Sequence, residues 1–175
     1  ESPQLSSTLE SGWGVALLGG PCSHLGGSLY LWAEHDMERG MPPAVDYDAE
    51  LALHEVLRGL VSNGLVTLAH DISDGGFAIA LAETCVEGVG GDFLLPGEGR
   101  LDGRMFGEDH GRVLVAFTDE NAAAVEAACK DRVSWTPIGR SGGDRLKIRD
   151  GGDVVVDVMV AAIAQSWRRT LPEML

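Results

Sequence analysis

The chain has 175 residues, of which 45% are hydrophobic and 23% charged, a composition that fits one globular domain with a substantial core. Its formal net charge of −14, with no basic patch, argues against a nucleic-acid-binding or anionic-membrane surface. Three cysteines stand far apart, in no metal-ligand spacing, which argues against a disulfide framework or a zinc site and fits a reducing, cytoplasmic compartment.

Targeting signals are not apparent in the sequence. The first residues lack the basic and apolar regions of a signal peptide. The longest apolar stretch, residues 154–164, is interrupted by Asp157 and falls short of the about 20 residues that a membrane span needs. Because the chain begins at Glu1 rather than at a methionine, we expect it to be a segment of a longer protein, although processing gives the same start.

The first half of the chain alternates apolar runs with turn residues. A strand is predicted at 15–18, followed after a connection at 35–45 by a helix with Asp48 as its N-cap and Asn63-Gly64 at its end. A strand at 65–69 then leads through an acidic turn into a helix over 75–86.

The second half predicts a strand at 113–117, a helix beginning at Asp119, strands at 135–139, 145–148 and 154–158, and a C-terminal helix carrying Met159, Ile163 and Trp167. Strands and helices interleave without strict βαβ alternation. We therefore predict an α+β domain with a single mixed β-sheet and helices packed against it. Residues 1–12 are expected to form a linker or N-terminal tail, and residues 13–175 the domain.

The turn at 70–76, His-Asp-Ile-Ser-Asp-Gly-Gly, is the first candidate site. Its glycines and the following helix N-terminus offer backbone N–H groups to a phosphate, and Asp71 or Asp74 are candidate ligands for a magnesium ion. Alternatively, Ser73 or Asp74 caps the helix and the glycines only form a tight turn. His70 beside Asp71 is either a base with a fixed tautomer or a packed side chain.

Two further segments are candidates. Gly26 and Gly27 before Ser28 predict either an anion-binding nest or a close backbone approach. The segment 106–112, Phe-Gly-Glu-Asp-His-Gly-Arg, predicts either a ligand site that includes Glu108 and Arg112 or a turn in which Arg112 pairs with an acid. The sequence shows no Walker A motif, Gly-x-Ser-x-Gly motif or Cys–His nucleophile pattern, so we assign no catalytic residue.

These segments, in this order, resemble the C-terminal domain of the aminoimidazole ribonucleotide (AIR) synthetase superfamily, and within it the phosphoribosylformylglycinamidine synthases. The matching runs are Leu-Gly-Gly-Ser-Leu-Tyr at 25–30, the turn at 70–76 with its helix, Phe-x-Glu at 106–108, and the closing segments at 138–140 and 143–146. The resemblance extends from about Trp13 to Pro172, and it implies the AIR synthetase C-terminal-domain fold.

The resemblance implies a part of an ATP- and Mg²⁺-dependent ligase of purine biosynthesis. Such enzymes convert formylglycinamide ribonucleotide, ATP and glutamine-derived ammonia into the amidine. It further implies N-type domains of the same parent chain, a glutaminase subunit and a small accessory subunit as partners. In this family the ATP, magnesium and substrate ligands lie mostly in the N-type domains and in the other C-type copy. We therefore expect no activity from this segment alone.

One departure from the family pattern bears on the site. In the catalytic half of these enzymes a Glu-Ser-Gln trio contacts the substrate, whereas here Asp109 and His110 follow Glu108. A carboxylate repels a phosphorylated substrate where a hydroxyl donates to it. The alternatives are therefore a non-catalytic scaffold or partner-docking copy, or a fragment of another superfamily member such as thiamine monophosphate kinase. The candidate ligand-binding residues are Gly26, Gly27, Ser28, Asp71, Ser73, Asp74, Gly75, Gly76, Glu108 and Arg112.

Overall fold

The computed structural model describes the backbone of residues 4–174 and the side chains of residues 4–169. Within this part of the chain, seven strands form one sheet: β1 (Gly14–Leu18), β2 (Leu68–Asp71), β3 (Gly91–Leu94), β4 (Val113–Phe117), β5 (Trp135–Ser141), β6 (Arg145–Asp150) and β7 (Asp153–Met159). Their order is β2-β4-β1-β5-β3-β6-β7, and neighbours are antiparallel except for the parallel pair β3 and β6. The predicted α+β class with a single mixed sheet is confirmed.

Six helices accompany the sheet in the described residues: α1 (Leu29–His35), α2 (Tyr47–Ser62), α3 (Gly76–Thr84), α4 (Leu101–Phe106), α5 (Ala122–Cys129) and α6 (Val160–Met174). A short 3₁₀ turn at Asp119–Asn121 precedes α5. The helices predicted over 75–86 and from Asp119 are confirmed, with slightly different ends.

The sheet carries a hydrophobic core on each face. In β1, Val15 and Leu17 join the cluster that contains Phe77 of α3, while Ala16 and Leu18 join the cluster of α2 and α5. Both faces of this strand are therefore covered, and every one of its residues is buried. A strand buried on both sides needs a continuous apolar run rather than alternation, which is what the sequence of β1 provides.

Several boundaries differ from the predictions. Asp46, not Asp48, caps α2, because its carboxylate accepts from the N–H groups of Asp48 and Ala49 at 3.1 Å each. The strand predicted at 65–69 begins only at Leu68, since the Leu65 N–H is still bonded to a carbonyl of α2 at 2.9 Å. Met159 ends β7 instead of lying in the C-terminal helix.

Residues 4–12, assigned to a tail by the sequence, lie against the domain. Ser6 forms an isolated parallel bridge with Leu68, and the Leu9 N–H donates to the Thr84 carbonyl at 2.8 Å. The Leu9 side chain is buried in the core. The boundary at residue 13 stays a prediction, and residues 1–3 lie outside the described part.

Two general features complete the fold. None of the helices in the described residues is both long and apolar enough to cross a membrane. The three thiols, Cys22, Cys85 and Cys129, are free and buried.

Candidate functional site

A cleft of about 430 Å³ brings together the three segments that the sequence singled out. Its walls include Gly26 and Gly27, residues 71–74, and residues 108–112. Ser28, Gly75 and Gly76 are buried within the same segments.

The sheet register explains this convergence. Strands β2 and β4 are antiparallel neighbours, and Asp71 at the end of β2 pairs with Val113 at the start of β4. The turn that follows β2 and the loop that precedes β4 therefore lie side by side at the same end of these two strands. The 106–112 segment also contacts the 25–30 segment, because the Tyr30 ring stacks on Phe106 with centroids 4.8 Å apart.

The Glu108 carboxylate connects the segments directly. Its Oε1 accepts one hydrogen bond from the Gly75 N–H at 2.8 Å and another from the Leu29 N–H at 2.9 Å. Gly75 is the N-cap of α3, and Leu29 is the first residue of α1. N–H groups at helix starts lack carbonyl partners within their helix, so one carboxylate oxygen satisfies two such groups from separate helices.

The turn between β2 and α3 differs from the capped turn offered as an alternative. Gly75 and Gly76 both have positive φ, and the Gly76 N–H bonds back to the Ser73 carbonyl at 3.0 Å. The N-cap of α3 is Gly75, whose N–H donates to Glu108, so the expectation that Ser73 or Asp74 caps this helix is wrong. The Ser73 and Asp74 side chains are exposed at the cleft, as is Asp71.

The glycines of the 25–30 segment lie close to backbone. The Gly27 N–H donates to the Arg39 carbonyl at 2.9 Å, and a Cβ on Gly26 would lie 2.5 Å from the Met41 carbonyl oxygen. The Ser28 hydroxyl caps α1 by accepting from the Leu31 N–H at 3.3 Å. Close approach therefore explains Gly26, and a φ of +74° explains Gly27, while their ligand-binding role stays a prediction.

Arg112 is buried, with 3% of its surface exposed. Its Nε donates to the Gly20 carbonyl at 3.2 Å and its Nη1 to the Gly107 carbonyl at 3.1 Å. The expected direct pairing with an acid is replaced by these carbonyls. Burial lowers the pKa of the guanidinium, and the nearby Cys22 and Asp109 act in the opposite direction. An arginine still remains protonated at neutral pH, so Arg112 is a cation that connects the loops containing Gly20 and Gly107.

Cys22 lies beside this arginine. Burial and a hydrogen bond with the Asp109 side chain raise the pKa of its thiol. Asp109, which stands where the family pattern has serine, therefore interacts with groups of its own chain.

The cleft is acidic overall. The carboxylates that line it belong to Glu50, Asp71, Asp74, Glu108 and Asp109, whereas its one lining guanidinium is that of Arg112. Among the described residues, no three His, Cys, Asp or Glu side chains group as a metal site, so magnesium binding by Asp71 or Asp74 stays a prediction.

Sequence reasoning missed the contribution of α2 to this cleft. Glu50 and His54 line it, and the Glu50 Oε2 lies 3.8 Å from the His54 Nε2. Their i, i+4 spacing was visible, but nothing local indicated that this face of α2 meets the loop before β4. His70, by contrast, lies outside the lining, with Nδ1 bonded to the Asp71 carbonyl at 2.8 Å and Nε2 3.5 Å from Glu83.

The sequence has relatives of known name. The chain is 40% identical, over 92% of its length, to phosphoribosylformylglycinamidine synthase subunit PurL of Anaeromyxobacter dehalogenans. It is 37% identical, over 95% of its length, to the corresponding subunit of Brucella ovis. The chain spans only 22% of the length of each of these curated relatives.

Solved structures share the fold. Thermotoga maritima PurL complexed with FGAR superimposes with a TM-score of 0.77 at 20% identity, covering 91% of this chain and 29% of that one. The hydrogenase maturation protein HypE in complex with ATP gives 0.59 at 15% identity, covering 92% of this chain and 55% of that one. These likenesses establish the fold.

The family model described as AIR synthase related protein, C-terminal domain, matches residues 10–151, which is most of the chain. Its span includes all three segments of the cleft. The chain therefore belongs to the family of AIR synthase related proteins, as a C-terminal domain.

Proposed function

We propose that this chain is a C-terminal domain within a phosphoribosylformylglycinamidine synthase large subunit. The observation that carries the proposal is the 40% identity to a PurL subunit over 92% of this chain. The convergence of the family motifs at one cleft supports it.

The parent enzyme would make formylglycinamidine ribonucleotide from formylglycinamide ribonucleotide, ATP and glutamine-derived ammonia, with Mg²⁺. A Thermotoga maritima PurL has been solved in complex with ATP, and another structure contains PurLQS. By analogy, the partners of this domain would be the N-type domains of its own parent chain, a glutaminase subunit and a small accessory subunit. Its place of action would be the cytoplasm.

The cleft residues of this chain do not by themselves form a binding site for a nucleotide phosphate. A phosphate needs free N–H groups or cationic donors. Here the N–H groups of Gly75 and Leu29 are bonded to Glu108, and two donor groups of Arg112 are bonded to carbonyls. The remaining lining carboxylates repel an anion. This geometry favours a structural or partner-docking role for the domain, with the reacting groups elsewhere in the parent enzyme.

Steady-state assay of the parent protein tests the assignment. We expect formylglycinamide ribonucleotide, ATP and ammonia to give the amidine with release of ADP and phosphate, and deletion of the parent gene to cause purine auxotrophy. Thiamine auxotrophy, or a parent protein without this ligase activity, would contradict the assignment. The isolated chain is expected to show no turnover.

The role of the domain is tested separately in the parent enzyme with Asp74→Asn. Asp74 is exposed at the cleft, and Asp153, exposed on β7, provides a matched control as Asp153→Asn. A scaffold role predicts that both variants keep the parental turnover and melting temperature. Loss of turnover in Asp74→Asn alone, at unchanged melting temperature, would instead assign a ligand to this cleft.

A further inference from the structure

We infer that the uncovered face of β3, β5, β6 and β7 is an interaction surface for a second copy of this chain, matched by a row of alternating charges. This charge row consists of Arg140, Asp92, Lys147 and Asp157, in that order across the four strands. The inference goes beyond the proposed function and does not depend on the identity of the parent enzyme.

One face of these strands has no covering layer in the part of the chain that the structure describes. Phe93, Leu146 and Ile148 belong to the core that contains Phe77. The other core, that of α2 and α5, covers β1 and β4 but contains no described residue of β3, β6 or β7. Because β3 and β6 are parallel, and parallel strands are normally buried on both faces, this uncovered face suits a further layer of protein.

The charge row lies directly across the strands. Asp92 on β3 is in register with Arg140 on β5 and with Lys147 on β6, and Lys147 is in register with Asp157 on β7. Residues opposite each other in a sheet share a face. Lys147 follows the buried Leu146 and therefore lies on the uncovered face. The order of charges across the strands is plus, minus, plus, minus.

Such a row is complementary to itself when its order is reversed. A two-fold axis parallel to the strands, between β3 and β6, places β3 of one copy over β6 of the other, and β5 over β7. Asp92 of one copy then faces Lys147 of the other, and Arg140 faces Asp157. Each position meets the opposite charge, as the self-complementary interface of a C2 dimer requires. The strands of the two sheets run in similar directions, as in aligned sheet packing.

The Lys147 ammonium is the group in the row that is available to a partner. The two carboxylates beside it are occupied by arginines, since Arg149 donates to both oxygens of Asp92 and Arg145 donates to Asp157. Lys147 forms no ion pair with any described residue. A carboxylate accepts several hydrogen bonds, so Asp92 of a second copy accepts from Lys147 while it keeps its arginine.

The composition of this face differs from that of the rest of the chain. Four of the 13 Lys and Arg residues lie at 140–149, although the net charge is −14. Leu94 and Val154, the register neighbours of Arg149, are 50% and 45% exposed. A second copy therefore meets cations and apolar side chains here. Strand spacing makes the face about 19 Å by about 20 Å, which predicts a weak dimer with a dissociation constant of about 10–100 µM.

Analytical ultracentrifugation of the chain from about 5 to about 500 µM tests the inference. Salt at about 0.15 M screens the repulsion between two acidic copies beyond about 8 Å. We expect wild type to convert from monomer to dimer over this range. Wild type that stays monomeric throughout would overturn the inference.

Lys147→Asp shows whether the charge row forms the interface. It places like charges opposite each other twice in the dimer, so we expect dimerisation to weaken at least about tenfold. Arg58→Asp is the matched control, because it changes the net charge equally but lies exposed on α2, away from the uncovered face. It is expected to dimerise like wild type. Equal dissociation constants for the two variants would contradict the role of the row.

The double variant Asp92→Lys, Lys147→Asp identifies the partner as a second copy. It restores opposite charges between the copies, so we expect dimerisation at least about tenfold tighter than in Lys147→Asp alone. A double variant that melts cooperatively but stays as weak as the single variant refutes the pairing.

Cross-linking of wild type keeps the test decisive if these variants do not fold. A carbodiimide joins an ammonium directly to a carboxylate that touches it. In a mixture of isotopically labelled and unlabelled chains, we expect mass spectrometry to find Lys147 of one copy joined to Asp92 of another. A dimer whose Lys147 cross-links only within its own chain would place the interface elsewhere.

Discussion

Gly76→Ala tests how closely the cleft segments are packed. Gly76 has φ +68°, and a Cβ at this position would lie 2.6 Å from the Gly107 carbonyl oxygen and 2.7 Å from the Phe106 carbonyl carbon. Both contacts are with backbone, so no side-chain rotation relieves them. The start of α3 must then move away from the end of α4, which also displaces the neighbouring Glu108.

Gly64→Ala is the matched control. Gly64 has φ +64°, but a Cβ there would meet no atom within 4 Å. The control therefore measures the cost of alanine in the left-handed region alone, about 1–2 kcal/mol. Gly76→Ala adds the cost of overpacking, about 1–3 kcal/mol, for a total of about 2–5 kcal/mol.

Urea denaturation followed by circular dichroism gives the free energy of unfolding of both variants. For a chain of this size each kcal/mol lowers the melting temperature by about 2–4 °C. We expect Gly76→Ala to lose at least about 1 kcal/mol more than Gly64→Ala, at an unchanged slope against urea. Equal losses in the two variants would refute the packing argument.

Three other outcomes follow from the buried and paired groups. Arg112→Met leaves the Gly20 and Gly107 carbonyls without their charged donor. We expect urea denaturation to show a free energy of unfolding lower by about 2–4 kcal/mol. A loss near zero would contradict a stabilising role for these two hydrogen bonds. Burial raises the pKa of Cys85 and of Cys129 to about 11, so about one thiol in a thousand is ionised at pH 8, and alkylation should be slow until urea unfolds the chain. Rapid labelling of the native chain would be inconsistent with this. The hydrogen bond from Arg149 lowers the pKa of Asp92. This pair therefore stabilises the fold at pH values above about 4, the pKa of the carboxyl in the unfolded chain. The stabilisation is lost as the pH falls through the lower pKa of the folded state. Asp92→Asn should therefore make the melting temperature less sensitive to acid, and an unchanged acid profile would argue against the pair.

The sequence was most informative where burial dictates composition. The apolar runs of β1 and β4 predicted strands because both are covered on each face. The elements that were missed carry weaker local signals. Helix α1 has no buried residue and hence no apolar stripe facing a core, α4 has only six residues, and β3 has only four residues beside a glycine-rich turn.

The candidate site shows a similar limit. The three segments were identified by their glycines and acids, and all three meet at the cleft. What local sequence does not reveal is which donor meets which acceptor across the fold. Glu108 accepts from Gly75, 33 positions earlier, and from Leu29, 79 positions earlier. These contacts depend on the register of β2 and β4 and on the position of α1, which only the tertiary structure sets.

Calorimetric titration of the chain with Mg-ADP and with formylglycinamide ribonucleotide shows whether this domain binds either compound by itself. The cleft lining is acidic, and the neighbouring N–H groups of Gly75 and Leu29 are already bonded to Glu108. We therefore expect no saturable heat for either compound from a chain that melts cooperatively. Micromolar binding of either one would contradict this expectation and would assign a ligand to the cleft.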